Sequence, residues 1–396
     1  MINPSASGWI DKFFALLCDT LPAAQDAVVF YHQVRDTGFI YGHVVLFTDI
    51  DAAETKGWTT EEATKAALLD TLYDMYRLVT QDNDKDTFIT KAISFYKEMT
   101  PEGFRFLKRW LPSSSQSHEL ENILNERIRT NENIISRNFS HILTNALLFM
   151  DVLAFRQFLL SGEIPNKYLK KLEETVMGIV SLALKTKKVQ SEYDDLLIKL
   201  FESSVRYTKP SKVNAESVDV DYNVKSILEK NYLLDMAAMA IWSDGMAEQE
   251  EIDFLYRLAA KLNLPEEAAA ESLASFDVFI KKNKKNIPFI KYSNPVKHFY
   301  ENAAHNVALL VNRNKNRLVK ELSNNGELML LLTHSTHRTL NDKEKRKIKK
   351  QLLEICKTIP SLTIFILPGG SLLLPLLIKF IPQLLPSVFN ENLDNE

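Results

Sequence analysis

The chain has 396 residues with 48 basic and 51 acidic side chains, a formal net charge of -3, so it exceeds one hydrophobic core and carries no global basic excess of the kind DNA binding requires. Glycine occurs 11 times, roughly 3% against ~7% in an average chain, which excludes glycine-rich phosphate loops and favours helices over sheet. The two cysteines, Cys18 and Cys356, are too distant in sequence to suggest a metal knuckle or redox pair and read as buried thiols in a reducing compartment.

The N-terminus, MINPSASGWIDKFFALLCDTLP, has no basic leader followed by an apolar core, because Asp11 and Lys12 interrupt it; export is not expected. From Asp11 to Leu111 the apolar positions follow helical spacing, as in Leu68, Leu69, Leu72, Met75, Tyr76 and Val79. One stretch is ambiguous. AVVFYHQV, Thr37-Gly38 and FIYGHVVLF are rich in β-branched and aromatic residues, which suits either a hairpin or a helix ended by Gly38, with the helix preferred. Asp82-Asn83-Asp84-Lys85-Asp86 imitates the start of a calcium loop, but Thr87 stands where glycine is needed and Ile93 where a glutamate should close the site. An acidic turn is the better reading.

Pro112-Ser113-Ser114-Ser115 marks a break. A second helical region follows, with one apolar face from Ile134 to Leu147 and another from Leu169 to Leu184. Arg206 to Asn223 is polar and aperiodic. The expected organisation is all-α: an N-terminal helical region over 1–112, a central helical region over 113–207, a linker over 208–223, a helical domain over 224–322, and a basic helix with an apolar segment over 323–396.

Within 224–322, a helix of small and apolar residues, Leu233 to Trp242, runs into Asp244-Gly245. An acidic-started helix with Ile252, Leu255, Leu258, Ala259 and Leu262 follows, and Leu264-Pro265 opens a third. This stretch resembles a TerB-like domain, the helical module first associated with tellurite resistance. The resemblance implies divalent cation binding by carboxylates, for which Asp244, Glu248 and Glu251 are the candidates. Glu248 and Glu251, three apart, share a helix face, as hard cations prefer; the competing reading is that both cap the helix N-terminus.

Near the C-terminus, NDKEKRKIKKQLLEICK carries Lys343, Lys345, Arg346, Lys347, Lys349, Lys350 and Lys357. Such a helix suits anionic lipid headgroups or RNA phosphates. Ile359 to Ile378 then contains no charged side chain over 20 residues, about 30 Å as a straight helix and enough to enter a membrane. Pro360, Pro368, Gly369, Gly370 and Pro375 interrupt it, with Lys379, Pro382 and Pro386 beyond; a kinked helix, a helical hairpin and a re-entrant segment all remain open. The alternative is a core helix buried between other helices. If the segment spans the inner membrane, the basic excess upstream places the large N-terminal part of the chain in the cytoplasm.

The stretch IPSLTIFILPGGSLLLPLLIKFIPQLLPSVF, with Pro368 and Pro375 seven apart and Leu384-Leu385-Pro386-Ser387 closing on Phe389, resembles the membrane segment of leucine-zipper, EF-hand-containing transmembrane (Letm-type) proteins. That resemblance implies membrane attachment, cation/proton exchange and, through a soluble domain after the membrane segment, ribosome binding. Ser371 stands where the family has an acidic residue between the prolines, and seven residues follow Phe389; the anchor, rather than either activity, is what is expected to carry over. Together the two likenesses resemble a bacterial Letm-related, biofilm-associated group. They imply a non-enzymatic interaction protein whose partners are membrane lipids, other proteins or further copies of itself, with the ribosome as a weaker candidate and no DNA. No Walker loop, nucleophile elbow, HExxH helix or dinucleotide fingerprint is present. His334 with His337, and His298 with His305, lack a third ligand.

Overall fold

A computed structural model describes residues 2–17, 26–47, 50–99, 115–129, 145–164, 167–186, 224, 226–242, 247–283, 307–308, 311–312, 314–338, 340–359, 362, 374, 377–378 and 381–382. Among these residues the regular structure is helical, and the fold is all-α. The first compact unit carries α1 (Trp9–Leu16), α2 (Ala27–Asp36), α3 (Ala52–Thr55), α4 (Thr60–Thr80), α5 (Lys85–Glu98), α6 (Gln116–Arg129), α7 (Phe149–Ser161), α8 (Tyr168–Lys185), α9 (Ile227–Ile241), α10 (Gln249–Lys261) and α11 (Glu266–Asn283). The second carries α12 (Lys315–Ser323), α13 (Gly326–His337) and α14 (Asp342–Thr358). The linker read at 208–223 lies outside the described residues, as do Ile134 to Leu143 of the expected central face.

Two helices organise the first unit. α4 packs against α2, α5, α6 and α7, and α9 packs against α2, α8, α10 and α11. α9 is apolar around most of its circumference, and its residues from Tyr232 to Ile241 are all buried, which is where such a helix must lie to keep that surface from water. α4 starts at a reciprocal capping box: Thr59 Oγ1 accepts from the Glu62 amide at 3.2 Å, and the Glu62 carboxylate accepts from the Thr59 amide at 2.8 Å. Aromatic rings tie the helices together. Phe88 of α5 meets Phe14 of α1 at 5.9 Å, Tyr73 of α4 at 5.2 Å and Phe155 of α7 at 6.2 Å, mostly edge to face.

The first half of the ambiguous stretch, Ala27–Asp36, is helical. Asp26 caps α2 by accepting from the Val28 and Val29 amides at 2.8 and 2.9 Å. The helix ends at Gly38, whose φ is 84°. A Cβ there would lie 2.2 Å from the His43 carbonyl oxygen and 2.6 Å from Phe279 Cε2, so glycine is required by both conformation and space. Residues 39–42 form turns and 43–47 have no regular structure, so the hairpin is not formed. The acidic turn is a cap as well: the Asp84 carboxylate accepts from the Thr87 amide at 2.8 Å to start α5, and Asp82 accepts from the Tyr76 hydroxyl.

Candidate functional site: the basic C-terminal helix

Asn341 starts α14 with a capping box: its side chain accepts from the Glu344 amide at 3.0 Å, and the Glu344 carboxylate accepts from the Asn341 amide at 2.9 Å. Ile348, Leu352, Ile355 and Cys356 form the buried side. Four and three residues apart, they make one stripe of a helix, which leaves the intervening positions to water. Lys343, Lys345, Arg346, Lys347, Lys349, Lys350 and Lys357 are all exposed. The structure thus gathers these seven basic residues onto the outer surface of one helix.

Their engagement differs. Lys347 and Gln351 both donate to Glu327 of α13, the second at 3.1 Å, and Lys347 holds that carboxyl below its ordinary range, with Gln351 adding to the effect. Lys345 lies 3.9 Å from Asp342, and Lys357 donates to Glu354 at 2.6 Å. Lys343, Arg346, Lys349 and Lys350 have no carboxylate partner among the described residues. Lys343, Arg346 and Lys350 are spaced by three and four, so they line one side with Lys347. Arg338, just before the helix, grips Glu344 with both Nη atoms at 2.9 and 2.5 Å. That pair and the Asn341 amide draw the Glu344 carboxyl down to about 2.

Cys356 is a buried free thiol pushed up to about 12 by burial, in keeping with an inert residue; Cys18 lies outside the described residues. Of the apolar segment, Ile359, Leu362, Leu374, Leu377, Ile381 and Pro382 are described and buried. Pro360, Pro368, Gly369, Gly370, Pro375, Lys379 and Pro386 lie outside the described residues. Among the described residues no helix is long and apolar enough to cross a membrane.

Residues 340–396 match the family model described as LETM1-like, RBD. The C-terminal segment is therefore Letm-like. The match takes in α14 and the apolar segment together. No curated protein and no solved structure matches the chain.

Two of the three acidic candidates lie at a helix start. Glu248 and Glu251 form a capping box at the start of α10, where the Glu248 amide donates to Glu251 Oε2 at 2.7 Å. Asp244 lies outside the described residues. Among the described residues no three His, Cys, Asp or Glu side chains gather as metal ligands. His334 Nδ1 lies 3.4 Å from Arg338 Nη2.

Two buried polar clusters of the first unit join residues that no sequence motif connects. Arg127 of α6 donates through Nε and Nη2 to Asp151 of α7 at 2.5 and 2.6 Å, with the Tyr96 hydroxyl at 3.3 Å. Asp235 of α9 accepts from Tyr31 of α2 at 2.7 Å and from Ser272 of α11, with Arg35 Nη1 3.8 Å away. Burial holds the Asp235 carboxyl above its usual range, against the pull of Arg35 and the two hydroxyls. Each cluster joins three helices: the first links the consecutive α5, α6 and α7, and the second brings α2 together with α9 and α11. Spacing alone gives no signal for such pairs.

Proposed function

We propose that this protein is a non-enzymatic, membrane-associated interaction protein of Letm-related type, and that α14 is its contact with anionic phosphate groups at the membrane surface. The observation that carries the reading is the row of exposed, carboxylate-free basic residues Lys343, Arg346, Lys349 and Lys350, directly ahead of a charge-free apolar segment. Basic residues near an anionic leaflet contribute about 1 kcal/mol each, so four supply reversible attachment that the apolar segment then consolidates. The same charges favour the cytoplasmic side of the bilayer for the bulk of the chain. The order of α9, α10 and α11 supports the TerB-like reading of 224–322, whose helices then offer surfaces for protein partners; a role in biofilm or envelope physiology follows the same likeness.

Cell fractionation with an alkaline carbonate wash tests this. Full-length protein is expected in the membrane fraction and to withstand the wash. Its recovery among soluble proteins would contradict the reading. A second reading, a ribosome-associated factor that sets the same basic row against RNA phosphates, is favoured by the description of the matching family model. Its sign is co-sedimentation with ribosomes that falls steeply with salt and disappears when the four residues are neutralised.

A further inference from the structure

Beyond the turns that follow α2, residues 43–47, His-Val-Val-Leu-Phe, run without turn or bend. The His43 amide donates to the Gly38 carbonyl at 3.1 Å, and the Val45 amide donates to the Thr37 carbonyl at 2.9 Å. Two amides two positions apart that turn to the same loop mark an extended run, whose backbone groups point alternately to either side. The far end is fixed by the Phe47 ring, edge to face on Trp58 at 5.5 Å.

The same alternation leaves the other edge open. Among the described residues the Val44 and Leu46 amides have no acceptor. In an extended run the N–H and C=O of one residue leave on the same side, so two donors and two acceptors face away from the Thr37-Gly38 turn. Leu46 is 48% exposed. Edge strands are ordinarily kept from pairing by charged side chains or proline, yet no Asp, Glu, Lys, Arg or Pro occurs from Phe39 to Thr48.

We propose that residues 43–47 are a docking edge for a second copy of this chain, joined as an antiparallel pair of strands with Val45 on the two-fold axis. Such a pair sets Val44 opposite Leu46 of the copy, and each of these pairs exchanges two N–H···O=C bonds. All four outward groups of each strand are then met by the same groups of the other, as a contact between identical surfaces requires. Centring on Val44 instead would set Leu46 against Gly42, which lies in a turn, and its bonds would be lost. A charged peptide finds no counter-charge on this edge; an identical strand needs none. The contact is short, so the dimer is expected to be weak and concentration-dependent. It involves neither α14 nor lipid.

Oxidative crosslinking reads both the contact and its register. In the two-fold pair the Val45 Cα atoms of the two copies lie about 4.5 Å apart, within the span of a disulfide. Full-length protein carrying Val45→Cys, Val44→Cys or Leu46→Cys is oxidised in the absence of lipid, and peptide mass mapping separates the new bond from any made by Cys18. Val45→Cys is expected to form dimer on the order of tenfold faster than either neighbour, because it alone meets itself across the axis. Leu46→Pro in the Val45→Cys background is expected to cancel that advantage. It removes a donor that the fold does not use and suits an extended backbone, so the circular dichroism spectrum is expected to be unchanged. Sedimentation of the unaltered chain is expected to show a dimer fraction that rises with concentration. Equal crosslinking at the three positions, or a Val45→Cys rate untouched by Leu46→Pro, would overturn the pairing. So would a chain that sediments as monomer at every concentration. Each of these results leaves the lipid contact of α14 standing, since no lipid is present.

Discussion

Arg127–Asp151 in the first unit and Arg338–Glu344 in the second are the same chemical object, a two-pronged guanidinium–carboxylate contact, placed in opposite surroundings. The first pair is 2% and 0% exposed, the second 47% and 18%. Water cannot replace either partner of the buried pair, so the two charges oblige α6 and α7 to stay together and cost heavily if separated. Around the exposed pair water and salt compete freely. The contrast separates charges that hold the fold from charges that a ligand can recruit, and α14 carries the second kind.

The sharpest way to break this contrast is Asp151→Ala, which strands the Arg127 guanidinium in the core. It is expected to cost about 3–5 kcal/mol, read as a shifted midpoint in urea unfolding. Replacing both partners, Arg127→Met with Asp151→Leu, is expected to recover most of that loss; no recovery would mean that the pair does more than neutralise itself. Gly38→Ala is a control without charge. With φ at 84° and the His43 oxygen in the way, it is expected to cost about 1–3 kcal/mol in the same assay.

Asp235→Asn sharpens the comparison through pH. The folded-state pKa of Asp235 is raised, so the folded protein holds that proton more firmly than the unfolded chain does. The resulting stabilisation is complete below the ordinary aspartate value of about 3.9 and is lost as pH rises through the higher folded value. The asparagine variant can still accept from the Tyr31 hydroxyl and is expected to lack this decline in a series of thermal melts across acidic pH. The smallest effect belongs to Arg338→Ala, for which no resolvable shift in unfolding midpoint is expected because the pair lies in water. A shift as large as that of Asp151→Ala would erase the distinction.

What was legible in the sequence follows the same division. Helical class, the apolar face of α8 from Leu169 to Leu184, and the basic surface of α14 are local: each is written in residues three and four apart. The Asp82 to Asp86 turn was also legible, because Thr87 and Ile93 break the calcium pattern. The ambiguity over residues 27–47 arose because α2 buries Phe30, Tyr31 and Val34, β-branched and aromatic types that serve a buried helix as well as a strand. The polar clusters were illegible for a plain reason. Tyr31 and Asp235 are 204 positions apart, and nothing in either neighbourhood names the other. The burial of Leu362, Leu374 and Leu377 was equally hidden, since an apolar run suits lipid and protein interior alike.

The central claim is that the exposed basic row of α14 is a contact for anionic lipid. Flotation of full-length protein on phosphatidylglycerol-rich vesicles, beside a variant with Lys343, Arg346, Lys349 and Lys350 changed to Gln, tests it most directly. All four side chains are exposed, so the fold is expected to survive, as circular dichroism would verify. The variant is predicted to bind on the order of 1,000-fold more weakly, four residues at about 1 kcal/mol each, with the wild-type affinity falling as salt rises. Equal binding by the two proteins, insensitive to salt, would contradict the account.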